Sequence, residues 1–369
     1  MSLNVLRLCR TFPRKEFPGI GLQPYYFSQY SKFNSIIFTK KIQSPLRFKN
    51  SHQVYEVSYR ENQFNENGVQ LFPFITKVYG ELKMLYSVLK NLNWRNFPEV
   101  IHCHSVHYIL TSVVLKILFG SPVVLSLGGT DLKRLSHFKR FGFVLNHIDA
   151  VVYVAESMSK EINAVFKKTK NIHISNGVDH TIFFHQNKDR KPYFLAVGNF
   201  RWQKGYKHLL KAFEKLINVH SDYELYIVGD FFDVKLEKEI LNWDKIKDRV
   251  SFLGIKTQEE INLLLNKCYC YVISSVSEGL PKSLIEAITT GTPIITTNVG
   301  DCENIAINKG IIVPPKNEEK LFDAMKFMIE NPSSWSNFHN ESLKDSKKYS
   351  WSNMSEIMDE LYLNLYKYK

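Results

Sequence analysis

From Lys191 onward, short apolar runs alternate with longer stretches in which apolar positions recur every three or four residues. The runs YFLAVG (193–198), ELYIVG (224–229), VSFLG (250–254), YCYVISS (269–275) and PIITT (293–297) predict strands. Between them, YKHLLKAFEKLINV (206–219), a segment near 233–242, QEEINLLLNK (258–267) and the stretch holding Glu286 predict helices. Continuous apolar strands joined by helices imply a parallel sheet covered on both faces, with ligands at the carboxyl ends of its strands.

The first half repeats the alternation less regularly, through NVLRLC (4–9), NSIIFT (34–39), EVIHCHS (99–105), a helix ending at Phe119, PVVLSLGG (122–129) and AVVYVA (150–155). Residues 40–74 hold no sustained period and stay unassigned. The polar, Asn-Gly-containing stretch ISNGVDHTIFFHQNKDRK (174–191) is the natural link between two α/β domains. The expected division is 1–185 and 186–349, with a C-terminal helix over 350–369 packing back on the first domain.

Length agrees with this, since 369 residues exceed what one core usually encloses. Composition is that of a globular chain, 44% hydrophobic and 23% charged. The charge is unevenly placed: residues 1–185 carry the entire excess of +12, and the remainder is balanced. A basic half implies an anionic partner such as a membrane surface or a lipid-linked molecule. A reader motif for nucleic acid is missing, so that partner is not expected.

The longest apolar run, YILTSVVLKILF, is too short to span a bilayer and contains Lys116. The N-terminus lacks the pattern of a secretory signal, and the five cysteines form no CxxC pair. A cytoplasmic protein, peripheral on the inner face of the membrane, is the expectation.

The chemistry concentrates in SVSEGLPKSLIEA (275–287), where a strand delivers the chain to a Glu278-Gly279-Leu280 turn. Pro281 suits the first turn of a helix, whose opening amides at Lys282, Ser283 and Leu284 form a phosphate site with the helix dipole. Glu286, about one turn further on, is placed to accept hydrogen bonds from a vicinal diol. Taken singly, Glu278 reads equally as a capping carboxylate and Glu286 as a solvated helix residue. The phosphate reading requires that neither be committed to an ion pair of its own.

EGLPKSLIEA resembles the Glu-x7-Glu signature of the family 4 retaining glycosyltransferases, which have the GT-B fold of two Rossmann-like, doubly wound parallel-sheet domains facing a cleft. ISNGVD, VGNFRWQKG, IVGD, VSFLG and TTNVGDCENI occur in the matching order. The resemblance implies transfer of a sugar from a nucleoside diphosphate to an acceptor hydroxyl, with retained configuration and no metal or other cofactor. It implies that Glu278 contacts the donor sugar and Glu286 the ribose. It further implies that Arg201 and Lys204 hold the diphosphate, and that Gly279, Leu280, Ser283, Leu284 and Ile255 complete the donor site. The arginine usually directly follows the strand glycine, where this chain has Asn199, and Arg201 takes the role in a variant loop.

In the first domain, FPRKEFPGIGLQPYYFSQ (12–29) resembles the family's glycine loop, with Gly19 or Gly21 beneath the donor phosphates. LSLGGTDL (125–132) departs from the pattern, because Gly128 stands where many members have a histidine. Asp131 either orients the acceptor or caps its own loop. IHCHSVH (101–107) reads as an ordinary strand and not a metal site, since His102 and His104 share one face and Cys103 points to the other. The basic, aromatic stretches 77–97 and 132–143 either rest on anionic headgroups or pack as plain amphipathic helices. The acceptor expected on these grounds is a lipid-linked or cell-envelope glycan. A catalytically silent nucleotide-sugar-binding protein and a GT-B epimerase or phosphorylase are the alternatives.

Overall fold

A computed structural model describes residues 3–12, 21–40, 52–58, 63–64, 70–71, 73–129, 131, 142–230, 246 and 248–367. Gly19, the helical segment near 233–242 and most of the basic stretch 132–143 lie outside them. The chain forms two compact units, Met1–Ser175 with Trp351–Lys369, and Asn176–Ser350.

The first unit is built on strands β1 (Asn4–Cys9), β2 (Asn34–Thr39), β3 (Gln53–Glu56), β6 (Val100–Cys103), β7 (Val123–Leu127), β8 (Ala150–Tyr153) and β9 (Lys170–His173). They form one sheet in the order β3-β2-β1-β6-β7-β8-β9, parallel throughout. Strands β4 (Gln63–Phe64) and β5 (Gln70–Leu71) make a separate antiparallel pair inside the stretch without period. Because both sheet faces are covered, β6, β7 and β8 are buried at every position, which is why they read as unbroken apolar runs.

On one face, Val5, Val100, Val124 and Val152 pack against helices Leu22–Tyr30 and Trp351–Lys367. The last helix is fixed to this unit by stacking of Trp351 on Tyr26, centroids 5.1 Å apart. Asp359 adds to this by accepting from Ser31 Oγ at 2.6 Å and Lys32 N at 2.8 Å. Gly21 sits at the start of helix 22–30 with φ 75°. A Cβ there would lie 2.6 Å from Phe12 Cα, so the close approach and the left-handed backbone alone demand glycine.

The second unit contains β10 (Lys191–Val197), β11 (Glu224–Val228), β12 (Val250–Phe252), β13 (Cys268–Ile273), β14 (Ile294–Thr297) and β15 (Gly310–Val313). Their order is β12-β11-β10-β13-β14-β15, again all parallel. Helix Gln258–Lys267 begins at a Thr257–Glu260 capping box, a signal present in the sequence TQEE.

The division falls between residues 175 and 176, inside the expected link 174–191 and before the expected boundary at 185, and residues 176–190 belong to this unit. Two buried asparagines explain it: Asn262 Oδ1 accepts from Phe184 N at 3.3 Å and Asn266 Oδ1 from Gln186 N at 2.8 Å. No helix among the described residues is long and apolar enough to cross a membrane.

Candidate active site

Strand order reverses direction between β10 and β13, which are neighbours in the second sheet although β11 and β12 separate them in sequence. In open parallel sheets, ligands bind outside the carboxyl ends of the strands at such a switch point. The loops concerned are 198–205 and 274–281, the two segments that carry Arg201, Lys204 and Glu278.

The loops are tied together by their own backbones. Val276 N donates to Gln203 O at 2.7 Å, and Ser274 Oγ donates to Lys204 O at 2.9 Å. Gly205 has φ 65° and rests directly on the Ser274 carbonyl, where any side chain would collide. Lys204 Nζ therefore reaches Glu278 Oε1 at 2.6 Å, and Ser275 Oγ donates to the same oxygen at 2.9 Å. Both side chains are mostly covered, 24% and 17% exposed, so the pair is weakly screened. Glu278 is thus in an ion pair, but with a residue of the same candidate site. Arg201 is exposed. Asn199 does not replace the missing arginine: its Oδ1 accepts from Asp230 N at 3.2 Å and joins the loop after β10 to the end of β11.

Glu286 lies inside helix Lys282–Thr289 and is 9% exposed, not solvated as an isolated helix carboxylate would be. Burial pushes its pKa up to about 7, with the charge of Lys282 one turn earlier pulling the other way. The helix starts at Pro281 without a side-chain cap. Of the three amides expected to receive phosphate, that of Leu284 is used, donating to Pro281 O at 3.2 Å. Ser283 Oγ lies 3.5 Å from Val197 O and also bonds the Tyr271 phenol. Leu284 is fully buried, and Leu280 nearly so, which makes both side chains core. Ile255 follows β12 with 47% of its surface exposed.

Sequence reasoning missed two groups. Tyr271, on β13, is fully buried, and its hydroxyl feels the charges of both Glu286 and Glu278. Burial raises its pKa well above the usual phenol range. Nothing in YCYVISS distinguishes it from a core tyrosine. The second is Gly300 in TTNVGD, with φ 55°; a Cβ there would lie 2.5 Å from Glu278 O and nearer still to Gly279 O. With Asp301 N donating to Gly279 O at 2.9 Å and Thr297 Oγ1 to Ser275 O at 2.7 Å, the loop after β14 supports the Glu278 turn.

The remaining candidates belong to the first unit. Asp131 is buried, with Gly128 N donating to its Oδ2 at 2.9 Å, its own amide donating to Gly128 O at 2.9 Å, and Ser105 Oγ reaching Oδ1 at 3.4 Å. Asp131 thus closes the loop on itself. His102 and His104 stack with centroids 3.7 Å apart beside the buried Arg7. The His102 nitrogens meet Tyr362 Oη at 2.5 Å and Ser126 Oγ at 2.7 Å. Burial, with the Arg7 charge, holds both imidazoles well below their usual pKa. No group of metal-ligating side chains occurs among the described residues.

Two Rossmann-like parallel sheets of this kind define the GT-B α/β fold. A sucrose-phosphate synthase of Thermosynechococcus elongatus shares it, with a TM-score of 0.81 at 16% identity, covering 99% of this chain and all of the other. So does HepE of Anabaena, solved with UDP-glucose, with a TM-score of 0.74 at 14% identity over 98% of this chain and all of the other.

The sequence is more specific than the fold. Residues 178–345 match the family model for glycosyl transferases group 1. An O-antigen chain mannosyltransferase of Salmonella typhimurium is 30% identical over 266 residues, 72% of this chain and 68% of its own. An N,N'-diacetylbacillosaminyl-diphospho-undecaprenol α-1,3-N-acetylgalactosaminyltransferase of Campylobacter jejuni is 24% identical, covering 80% and 82%. The chain belongs to the glycosyl transferases group 1 family.

Proposed function

We propose that the chain is a retaining, family 4 glycosyltransferase that moves a sugar from a nucleoside diphosphate to a hydroxyl of a lipid-linked or cell-envelope glycan. The carrying observation is the Lys204–Glu278 contact at the switch point, with Glu286 buried on the adjoining helix. Lys204 exchanges its carboxylate partner for the donor's diphosphate, and Arg201 approaches from the exposed side of the same loop. Two cations there stabilise the charge that grows on the phosphate as the glycosidic bond breaks. A divalent metal is then not needed.

Glu278, released from Lys204, positions the sugar and offsets positive charge at the anomeric carbon. Glu286 accepts hydrogen bonds from the ribose diol. The anomeric carbon bonds to the acceptor oxygen, the carbon–phosphate-oxygen bond breaks, and the acceptor proton passes to the departing phosphate. The acceptor class rests on the names of the two bacterial relatives, and UDP-sugars are the first donors to try because HepE was solved with one.

The test is to measure nucleoside diphosphate release from a panel of nucleotide sugars, with and without undecaprenol-linked glycans, and to read the product's anomeric configuration by NMR. Release that needs the acceptor, with retained configuration, supports the reading. Release without acceptor points to a hydrolase, epimerase or phosphorylase. Binding without any release points to the silent binding protein that Gly128, in place of the usual histidine, keeps in play.

A further inference from the structure

We propose that the face of the first unit formed by helices Pro73–Asn91 and Ile109–Phe119 is a docking surface for an anionic lipid bilayer. Exposed apolar side chains cluster there. On helix 73–91, Tyr79, Leu82 and Tyr86 follow helical spacing and are 45%, 58% and 62% exposed. On helix 109–119, Leu110, Val114, Ile117 and Leu118 form a second outward stripe, with Ile117 57% exposed.

These helices are neighbours, because Glu81 of the first accepts from the Leu110 and Thr111 amides of the second. Trp94, 62% exposed, extends the patch through its edge contact with Phe119, and Phe143, 65% exposed, lies on the short helix Gly142–Asn146 that contacts helix 109–119. An ordinary amphipathic helix turns its apolar positions inward. Here both helices bury one apolar face and show a second to solvent.

Charge identifies the occupant. Lys90 and Arg95 are exposed beside the patch, and Lys83 lies over the Tyr79 ring. The four carboxylates of residues 73–149 are each engaged within the unit, Glu81 and Asp131 buried and Glu99 and Asp149 half-buried. Glu81 caps helix 109–119, Glu99 accepts from Asn4 N at 2.7 Å, Asp131 is held in its loop, and Asp149 pairs with Lys116 at 2.7 Å.

The face therefore presents aromatic and aliphatic side chains ringed by cations with no exposed carboxylate among its described residues. Tyrosine, tryptophan and long aliphatic side chains partition into the headgroup boundary, and nearby lysines are drawn to anionic lipid. A symmetric second copy would set these lysines against each other. The inference goes beyond the sugar-transfer reading and does not depend on it, as these residues lie in the unit without the Lys204–Glu278 site.

The experiment is flotation of the full chain with vesicles of phosphatidylcholine alone or enriched in phosphatidylglycerol, at low salt. Two variants accompany it, Leu82→Ser/Tyr86→Ser/Ile117→Ser and Lys90→Glu/Arg95→Glu. All substitutions are on exposed or outward positions, and melting temperature together with nucleoside diphosphate binding serves as the control for folding. The expected result is co-flotation with the anionic vesicles only, reduced about tenfold or more in each variant with the control unchanged. Wild-type protein that stays in the aqueous fraction, variants that float as well as wild type, or a dimer cross-linked through Tyr86→Cys would each overturn the proposal.

Discussion

Lys204 Nζ lies 2.6 Å from Glu278 Oε1, joining the loop after β10 to the loop after β13. Each charge satisfies the other, and on the proposed reading a diphosphate competes with Glu278 for the lysine. Glu278→Gln is thus expected to bind nucleoside diphosphate as tightly as wild type or more tightly, while turnover falls by about 10²–10³. Lys204→Ala is expected to lose both. Titration calorimetry beside a turnover assay checks the split, and weaker nucleotide binding by Glu278→Gln would show that the carboxylate holds the nucleotide instead of the sugar.

Glu286 links pH to stability and to binding. Its folded pKa of about 7 lies above the ordinary 4.5, so its contribution is fully present below about pH 4.5 and is lost as pH rises through about 7. The loss is on the order of 3 kcal/mol. Glu286→Gln is expected to flatten this part of the stability profile, measured by denaturant unfolding between pH 5 and 8. Since a diol donating to the carboxylate favours the ionised form, nucleotide binding near pH 6.5 should release protons. Calorimetry in buffers of different ionisation heat reads that release, which Glu286→Gln should abolish.

Glu81 is a structural counterpart. It is buried, its pKa is pushed up to about 7 by burial, and it accepts from Leu110 N, Thr111 N and Thr111 Oγ1. Glu81→Ala leaves those donors without their partner and is expected to cost about 1–3 kcal/mol of stability without changing nucleotide affinity. Thermal melting and titration of the same sample check both halves.

Gly300 supports the backbone of the Glu278-Gly279 turn from the loop after β14. Gly300→Ala would place a methyl 2.5 Å from Glu278 O in a backbone with φ 55°, so the turn must shift. Turnover is expected to fall by about tenfold or more, for a stability loss of about 1–2 kcal/mol. Unchanged turnover would mean the turn can move without consequence.

The parallel sheets were legible because strands buried on both faces read as unbroken apolar runs, as YCYVISS and PVVLSLGG do. Helix 258–267 was legible down to its ends from its period, and the structure adds a capping box at its start. The edge strand β3, with its half-exposed pattern, carried no such signal. The division falls earlier in the link than residue 185 because the asparagines that hold 184–186 are distant in sequence and look like surface residues of helix 258–267.

At the site, the Glu-Gly-Leu-Pro turn and Lys204 could be read from residue type and order. Tyr271 and Gly300 could not, since their roles come from neighbours in helices and turns that only the fold brings close. The inward commitment of Leu284 N also escaped the sequence, because it depends on the geometry of the first helical turn.

The most direct test of the central claim is titration of a nucleoside diphosphate into wild type, Lys204→Ala and Glu286→Ala. The account predicts one site per chain in wild type, weakened by about tenfold or more in each variant, as loss of a charged hydrogen-bond partner requires. Equal affinity in all three would contradict it and remove the switch point of the second sheet as the donor site.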